Sequence, residues 1–324
     1  MITTYLHQRK DFQSLIRTLA TETGILESLV EKDYWIMHVL YSMKKRGLEF
    51  ALKGGTSLSK GFGIIDRFSE DIDLRITPPR AFIEQTGIKV NENPKSTGKS
   101  ISANRMAFFD WLAANLPMDS IKALRDHEFD DSEGRNGGIR LNYEGFFGPI
   151  TGIKDGILLE IGYAQVTPNQ PADISSWMYD RAIKAGLNII DNRAIGIPCY
   201  HPGYTLVEKL QTISTKFRGE QGQDNGKPKV NFMRQYYDVY KLLQREDIQE
   251  FIASKEYHDH KQNWFPKADL NEPLAQKEAF LLNNEHIRSD FRGRYTSTAN
   301  LYYLGQPNFD EVLAFIQVNL KKLG

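Results

Sequence analysis

The sequence of 324 residues predicts an α+β protein, in which strands and helices mix in the first half and helices dominate the second. Two observations support this prediction. Short apolar runs with the character of strands fall before residue 165, around a glycine-rich turn. From about residue 200 onward, apolar residues recur at helical spacing. We therefore expect two domains, residues 1–165 and 166–324, with the change of character between residues 165 and 200.

Periodicity predicts the individual elements. In the first half we expect helices at 12–23, 26–43, 56–61 and 101–116, and strands at 50–53, 71–76, 139–143 and 156–162. In the second half we expect helices at 204–217, 232–243, 274–284 and 309–320. Thr56 suits the N-cap position of the short helix at 56–61. Pro78-Pro79 ends the strand expected at 71–76. Polar segments at 91–100 and 219–229 are expected to be a linker and a loop.

Composition limits the class of protein. No apolar run is long enough to cross a bilayer, and the N-terminus has no secretory h-region, so we expect a cytoplasmic protein with no membrane partner. The single cysteine, Cys199, excludes an internal disulfide and a cysteine-rich zinc site. The 41 basic residues balance the 41 acidic ones, so a nucleic-acid partner would need a local basic surface.

The most informative segment joins a glycine turn to an acidic strand. Gly54-Gly55-Thr56-Ser57 follows a predicted strand and opens a helix, where free backbone N–H groups and close approach suit a phosphate. In the strand that follows, Asp71 and Asp73 project from one face while apolar residues occupy the other. Neighbouring carboxylates repel each other unless a cation lies between them, and Mg²⁺ prefers carboxylate oxygens. This layout is typical of a site for nucleotidyl transfer.

Other interpretations of these acidic residues remain open. The strand face can instead be solvated, with Arg75 as the ion-pair partner of the aspartates. A third carboxylate usually completes such a site, and Glu160 is the best candidate because it lies opposite the apolar face of strand 156–162. Glu144 and Asp155 compete for that role, and Glu160 can also be an ordinary edge-strand glutamate.

The glycine turn, the short helix and the run Arg67-Phe68-Ser69-Glu70-Asp71-Ile72-Asp73-Leu74 together resemble the AbiEii family of nucleotidyltransferases. Glu31-Lys32-Asp33-Tyr34-Trp35 resembles the family's N-terminal segment, and the resemblance covers most of residues 30–245. It implies a nucleotidyltransferase-like mixed sheet flanked by helices, as in the DNA polymerase β-like superfamily. It also implies that Asp71, Asp73 and Glu160 bind Mg²⁺, or Mn²⁺ in its place, beside an NTP whose phosphates contact the glycine turn and Ser69.

Two later segments extend the resemblance. Glu208-Lys209-Leu210 with Lys216 resembles the family's third motif, which implies that Lys209, and by extension Lys216, holds the triphosphate. Arg234 with Asp238 resembles the fourth motif, which implies that Asp238 supports this arrangement. Without the resemblance, the lysines would be snorkelling side chains and Arg234–Asp238 a surface ion pair.

The resemblance further implies an NMP transfer to the 3′ end of tRNA by a growth-arresting toxin of an abortive-infection, phage-defence system with a cognate antitoxin. Two alternatives stay open: transfer of NMP to a protein or a small molecule, and an inactive nucleotide-binding module. Two basic clusters favour RNA, although both can be solvated loops, and for the second cluster solvated loops are the preferred interpretation. They comprise Lys216, Arg218, Lys227, Lys229 and Arg234 in the first, and Arg288, Arg292 and Arg294 with two aromatic neighbours in the second.

Overall fold

The computed structural model describes residues 3–148, 155–223 and 230–324, which form two compact units. The first unit contains the residues up to Phe62 together with Ser69–Tyr200, and the second contains Gly63–Phe68 and His201–Gly324. The sheet strands lie in the first unit, so its boundary follows the last strand. The domains expected from the sequence, 1–165 and 166–324, stay a prediction.

The first unit is built on a seven-stranded mixed sheet in the order β3-β4-β5-β2-β1-β7-β6. The pairs β2–β5 and β1–β7 are parallel and the other neighbours are antiparallel. This confirms the α+β prediction with a mixed sheet. The strands are β1 (Phe50–Leu52), β2 (Asp71–Ile76), β3 (Ile121–Asp126), β4 (Asn136–Tyr143), β5 (Ile157–Gly162), β6 (Asn169–Ile174) and β7 (Ala194–Tyr200).

Six helices accompany this sheet: α1 (Phe12–Thr23), α2 (Glu27–Lys45), α3 (Gly54–Thr56), α4 (Arg80–Thr86), α5 (Lys99–Ala114) and α6 (Trp177–Lys184). A one-turn π-helix, Ser57–Gly61, continues α3 directly. Burial in β2 alternates strictly, because Ile72, Leu74 and Ile76 are inaccessible to solvent while the residues between them are half-buried. The apolar face of β2 therefore belongs to the core, and Asp71 and Asp73 lie on its other face.

The second unit is helical, as the sequence predicts. Its helices are α7 (Pro202–Arg218), α8 (Arg234–Leu243), α9 (Glu246–Ile252), α10 (Lys255–Trp264), α11 (Lys267–Leu270), α12 (Glu278–Leu281), α13 (Glu285–Thr296) and α14 (Phe309–Leu323). None of the helices in the described ranges combines the length and apolar character needed to cross a bilayer. The predicted loop 219–229 falls partly outside the described residues, and its first part, Gly219–Gln223, is a π-helical turn.

Candidate active site

The glycine turn lies directly against the acidic strand. Gly54 has φ +64°, and a Cβ atom placed on it would lie 2.1 Å from Oδ2 of Asp73. The backbone of the same turn is fixed to β2, since the N–H of Lys53 donates to the carbonyl oxygen of Asp73 at 3.0 Å. Only glycine satisfies both the backbone conformation and the close approach. The Asp73 carboxylate therefore faces the turn.

The turn differs from the prediction in its capping. Thr56 lies inside the helical stretch, with helical φ and ψ, and the N-cap residue is the extended Lys53. The Thr56 hydroxyl donates to the backbone oxygen of Asp71, and the side chains of both Thr56 and Ser57 are fully buried. What this segment can offer a phosphate is thus the backbone N–H groups of its first turn rather than its hydroxyls.

The three candidate carboxylates share one face of the sheet. In the parallel pairing of β2 with β5, Asp73 is aligned with Glu160 and Asp71 with Leu158. Because alternate residues of a strand project to the same side, Asp71, Asp73 and Glu160 project together. Arg75, on the same strand, forms an ion pair with Glu92 at 3.0 Å. Ser69, half-buried, lies two residues before the strand.

These carboxylates are of the donor type that a magnesium ion prefers. The described residues contain no cluster of three or more acidic, histidine or cysteine side chains with metal-binding geometry. Mg²⁺, however, is usually held by one or two carboxylates together with water and substrate phosphate. Asp71, Asp73 and Glu160 are carboxylates of this kind, and the Asp73 carboxylate lies against the glycine turn.

A buried lysine near this face was not among the predicted site residues. Lys32 of α2 is only 4% exposed, and burial lowers its pKa to about 8 although Glu70 and Asp71 oppose the shift. Its neighbours Glu31 and Asp33 are equally buried, and Asp33 forms an ion pair with Lys60 of the π-helix. A run of three charged residues within an otherwise apolar helix indicates in the sequence that these side chains have partners, because buried charges are retained only when they are paired. Lys60 is thus engaged with α2.

In the second unit, Asp238 of α8 lies between two cations. Arg67 binds it through two hydrogen bonds, Nε to Oδ1 at 2.7 Å and Nη2 to Oδ2 at 2.6 Å, and Nζ of Lys209 lies 2.6 Å from Oδ2. Lys209 also donates to Oε1 of Gln235 at 3.1 Å. Burial alone would raise the pKa of Asp238, but Arg67 and Lys209 outweigh it and lower the pKa. Asp238 therefore orients the Lys209 ammonium.

This arrangement differs from the local ion pair considered in the sequence analysis. The carboxylate of Asp238 is shared by residues of two distant segments instead of serving its helical neighbour alone. The guanidinium of Arg67, from the run that leads into β2, was not predicted in this role. Lys216, seven residues after Lys209 on α7, is exposed, whereas Lys209 is 6% exposed.

The basic clusters give less support to RNA binding than their composition suggests. Arg288 and Arg292 both donate to Asp310, and Arg294 donates to Glu220. The aromatic residues of this cluster, Phe291 and Tyr295, are buried. Lys227 and Lys229 of the first cluster lie outside the described residues. The arginines of α13 therefore take part in internal ion pairs.

Comparison with known proteins agrees with the fold and identifies the family. Among solved structures, MenT4, a nucleotidyltransferase toxin from Mycobacterium tuberculosis H37Rv, matches with a TM-score of 0.51 and 14% identity over 96% of each chain. An antigenic nucleotidyltransferase-like protein from Paracoccidioides brasiliensis has a TM-score of 0.35 and 11% identity, over 81% of this chain and 92% of that one. At these identities the likeness to MenT4 bears on the fold alone. No curated protein sequence matches the chain.

The family model described as "Nucleotidyl transferase AbiEii toxin, Type IV TA system" matches residues 38–315. The match includes both the acidic strand and the Asp238 helix. It extends past the C-terminal end of the 30–245 region of the resemblance, but it begins after the N-terminal segment Glu31–Trp35. Because it spans most of the sequence, the chain belongs to the AbiEii family of nucleotidyltransferase toxins.

Proposed function

We propose that the protein transfers an NMP unit from an NTP to the 3′-terminal hydroxyl of a tRNA in a Mg²⁺-dependent reaction, and that this transfer arrests growth. The observation that carries the proposal is the position of the Asp73 carboxylate, which lies against Gly54 and is aligned with Glu160 on the next strand. The glycine turn proposed to bind phosphate is thus adjacent to a pair of carboxylates, Asp73 and Glu160. Membership of a type IV toxin–antitoxin family supports the toxin role and an antitoxin partner.

In this proposal Asp71 and Asp73, with Glu160, hold the ion, which when bound neutralises charge on the triphosphate and assists loss of the hydroxyl proton. The first-turn N–H groups of the glycine turn hold the nucleotide phosphates, with Ser69 at the entrance to β2. Lys209, held in place by Asp238, supplies positive charge for the triphosphate, and Lys216 adds to it. Glu160 orients the acceptor hydroxyl and polarises its O–H bond.

The step is an in-line displacement at the α-phosphorus. A bond forms between the acceptor oxygen and Pα, and the bond from Pα to the bridging oxygen of the β-phosphate breaks. Pyrophosphate leaves with the electron pair of that bond, and the hydroxyl proton passes to a base at the acidic face. Since little covalent chemistry is required of the protein, positioning and charge account for most of the catalysis.

The test is an assay of the purified protein with each labelled NTP and total tRNA. We expect Mg²⁺-dependent labelling of RNA that EDTA abolishes and that falls by at least 10³-fold in Asp71→Asn, because removal of a carboxylate removes charge stabilisation. Asp110→Asn is the matched control, an exposed aspartate of the same unit. Expression of the wild-type chain, but not of Asp71→Asn, should arrest growth.

Three outcomes would contradict the proposal. Labelling that is unchanged in Asp71→Asn would remove the acidic strand from the reaction. Label that resists RNase and migrates with protein would exclude tRNA as the acceptor. NTP binding without release of pyrophosphate would indicate a binding module that has lost turnover.

A further inference from the structure

Lysines stand on both sides of the glycine turn, and they differ in what holds their side chains. Lys60, in the π-helix, forms an ion pair with the buried Asp33 of α2, and its Nζ lies 5.2 Å from the centroid of the Trp177 ring. The other oxygen of the Asp33 carboxylate accepts from the backbone N–H of Trp177 at 2.9 Å. Lys60 therefore fastens the end of this segment to α2 and α6. Lys53, at the start of the segment, is held differently.

The side chain of Lys53 projects from the acidic face of the sheet. In the antiparallel pairing of β1 with β2, Leu52 is opposite Leu74. The N–H of Lys53 continues this ladder by donating to the carbonyl oxygen of Asp73 at 3.0 Å. Lys53 is itself extended, with φ −137° and ψ −174°, so the alternation of the strand includes it. Because residues opposite each other in antiparallel strands project to the same side, Lys53 and Asp73 are neighbours on one face.

The ammonium of Lys53 has no partner within the part of the chain that the structure describes. The side chain is half-buried, and it forms neither a hydrogen bond nor an ion pair there. The carboxylate of its cross-strand neighbour Asp73 lies against Gly54 and outside ion-pair distance of the ammonium. Arg75, two residues along the same face, pairs with Glu92. Lys53 thus keeps its charge available beside the turn.

The chemistry of this position favours a phosphate. The triphosphate of an NTP brings several negative charges to a face that already carries carboxylates, so further positive charge is needed there besides a metal ion. A lysine ammonium binds phosphate as a compact point charge, and its flexible four-carbon stem lets it reach over the turn. Partial burial strengthens such a contact, because water screens it less.

We propose that Lys53 binds the triphosphate of the NTP at the glycine turn and stays in contact with the pyrophosphate that leaves. This inference rests on the proposed function for the identity of the substrate. The ammonium donates to non-bridging phosphate oxygens beside the first-turn N–H groups, which contact the same anion. Lys60, by contrast, acts only through the position of the turn.

Calorimetry on the full chain with Mg²⁺ and without RNA tests this contact apart from the transfer reaction. The probes are the individual NTPs and inorganic pyrophosphate. In Lys53→Met we expect the Kd of the tightest-binding NTP and that of pyrophosphate to increase at least tenfold, because a hydrogen bond between charged groups is lost. Lys53→Arg keeps the charge and should increase either Kd by less than about threefold. Lys122→Met, an exposed lysine of β3 in the same sheet, is the matched control and should leave both values unchanged.

Equal Kd values in the wild-type chain and in Lys53→Met would overturn the inference, as would a wild-type chain that binds neither probe. So would equal losses in Lys53→Met and Lys53→Arg, because charge would then be unimportant. Lys53→Gln is measured in parallel, with urea denaturation of each variant, so that the result does not depend on the folding of one protein. Binding of NTP that depends on Lys53 in a chain without transfer activity would support this inference and contradict the proposed function. Transfer with unchanged kcat/KM in Lys53→Met would do the reverse.

Discussion

Asp238 is a fully buried carboxylate with two cationic partners. Its net contribution to the free energy of unfolding therefore depends on all three groups being present. Removing one member of a buried ion pair leaves charge that neither water nor protein compensates. Arg67 and Lys209 are themselves 4% and 6% exposed, so solvent does not reach the cations readily. The same contacts that stabilise the second unit also fix the ammonium proposed to bind the triphosphate.

We therefore expect Asp238→Asn to lower the free energy of unfolding by about 3–5 kcal/mol, since the amide leaves two buried cations uncompensated. Urea denaturation followed by circular dichroism measures the change. Asp259→Asn is the control, because its partner Lys255 lies one turn away on α10 and both side chains are more than half exposed. Exposed pairs of this kind contribute under about 1 kcal/mol. Equal losses in the two variants would show that the buried triad has no special importance.

The buried histidines predict how stability depends on pH. Burial lowers the pKa of His7 to about 4, despite the opposing charge of Asp119, and lowers that of His38 to about 3. Both rings stay neutral in the folded state, whereas in the unfolded chain they take up protons near pH 6.5. The unfolded state therefore binds more protons below pH 6.5, and stability falls as the pH is lowered through this window.

At pH 5 this effect amounts to about 2 kcal/mol for each histidine, at about 1.4 kcal/mol per pKa unit. Urea unfolding at pH 7 and pH 5 should show the loss in the wild-type chain. The loss should be smaller by about that amount in His38→Gln, whose side chain does not titrate. A variant with the full wild-type loss would show that His38 is protonated in the folded protein.

The segment from β1 to the π-helix gains its geometry from contact with β2. Gly54 combines a positive φ with an approach to Asp73 that leaves no room for a methyl group. Gly87, at the end of α4, has a similar φ of +70° but no atom within 4 Å of an added Cβ. Substitution of Gly87 therefore introduces backbone strain alone, whereas substitution of Gly54 introduces the same strain together with displacement of the Asp73 carboxylate.

In Gly87→Ala we expect a loss of about 1–2 kcal/mol from the left-handed backbone, with nucleotidyl transfer unchanged. In Gly54→Ala the same strain is accompanied by displacement of the Asp73 side chain, and transfer should fall by at least 10²-fold. Denaturation and the labelled-NTP assay measure the two effects. Comparable activity in the two variants would mean that contact between Asp73 and the turn is unimportant for the reaction.

The periodicity of apolar residues predicts the helices and strands in which that periodicity is regular. Helix 12–23 and strand 71–76 agree with α1 and β2 at both ends, because strict periodicity defines each of them. The strands β6 and β7 were missed because each contains a proline, and Pro171 and Pro198 face each other in the ladder. The helix expected at 274–284 is interrupted, since Lys277 is extended and Leu282 is left-handed.

The predicted site was incomplete for a related reason. Alternation alone was sufficient to place Asp71 and Asp73 on the polar face of one strand and Glu160 on the polar face of another, because side-chain direction follows from the strand itself. That the two strands pair is seen only in the sheet. The partners of Asp238 could not be found in this way, since Arg67 is 171 positions away. Helical spacing offered Arg234 instead. Likewise, only the packing of α2 shows that Lys32 is buried.

Residues 63–68 connect the π-helix to β2 in sequence but belong to the second unit in structure. The N–H of Phe68 donates to the carbonyl oxygen of Leu301 at 2.7 Å, and Arg67 forms an antiparallel bridge with Tyr302. Lys241 of α8 donates to Asp66 at 2.8 Å. Ile64, Ile65 and Phe68 are buried as well. The chain therefore enters the second unit twice, and the first entry lies between the two halves of its nucleotidyltransferase motif.

This topology predicts that residues 201–324 cannot fold as an independent fragment. Without residues 63–68 the fragment lacks three buried apolar side chains, at about 1.5–3 kcal/mol each, and the bidentate partner of Asp238. These losses approach the total stability of a typical domain. Circular dichroism and urea denaturation of the isolated fragment should show no cooperative transition, whereas a fragment with residues 63–68 attached through a flexible linker should regain one. Cooperative unfolding of 201–324 alone, with the stability of the linked fragment, would mean that the inserted segment is dispensable.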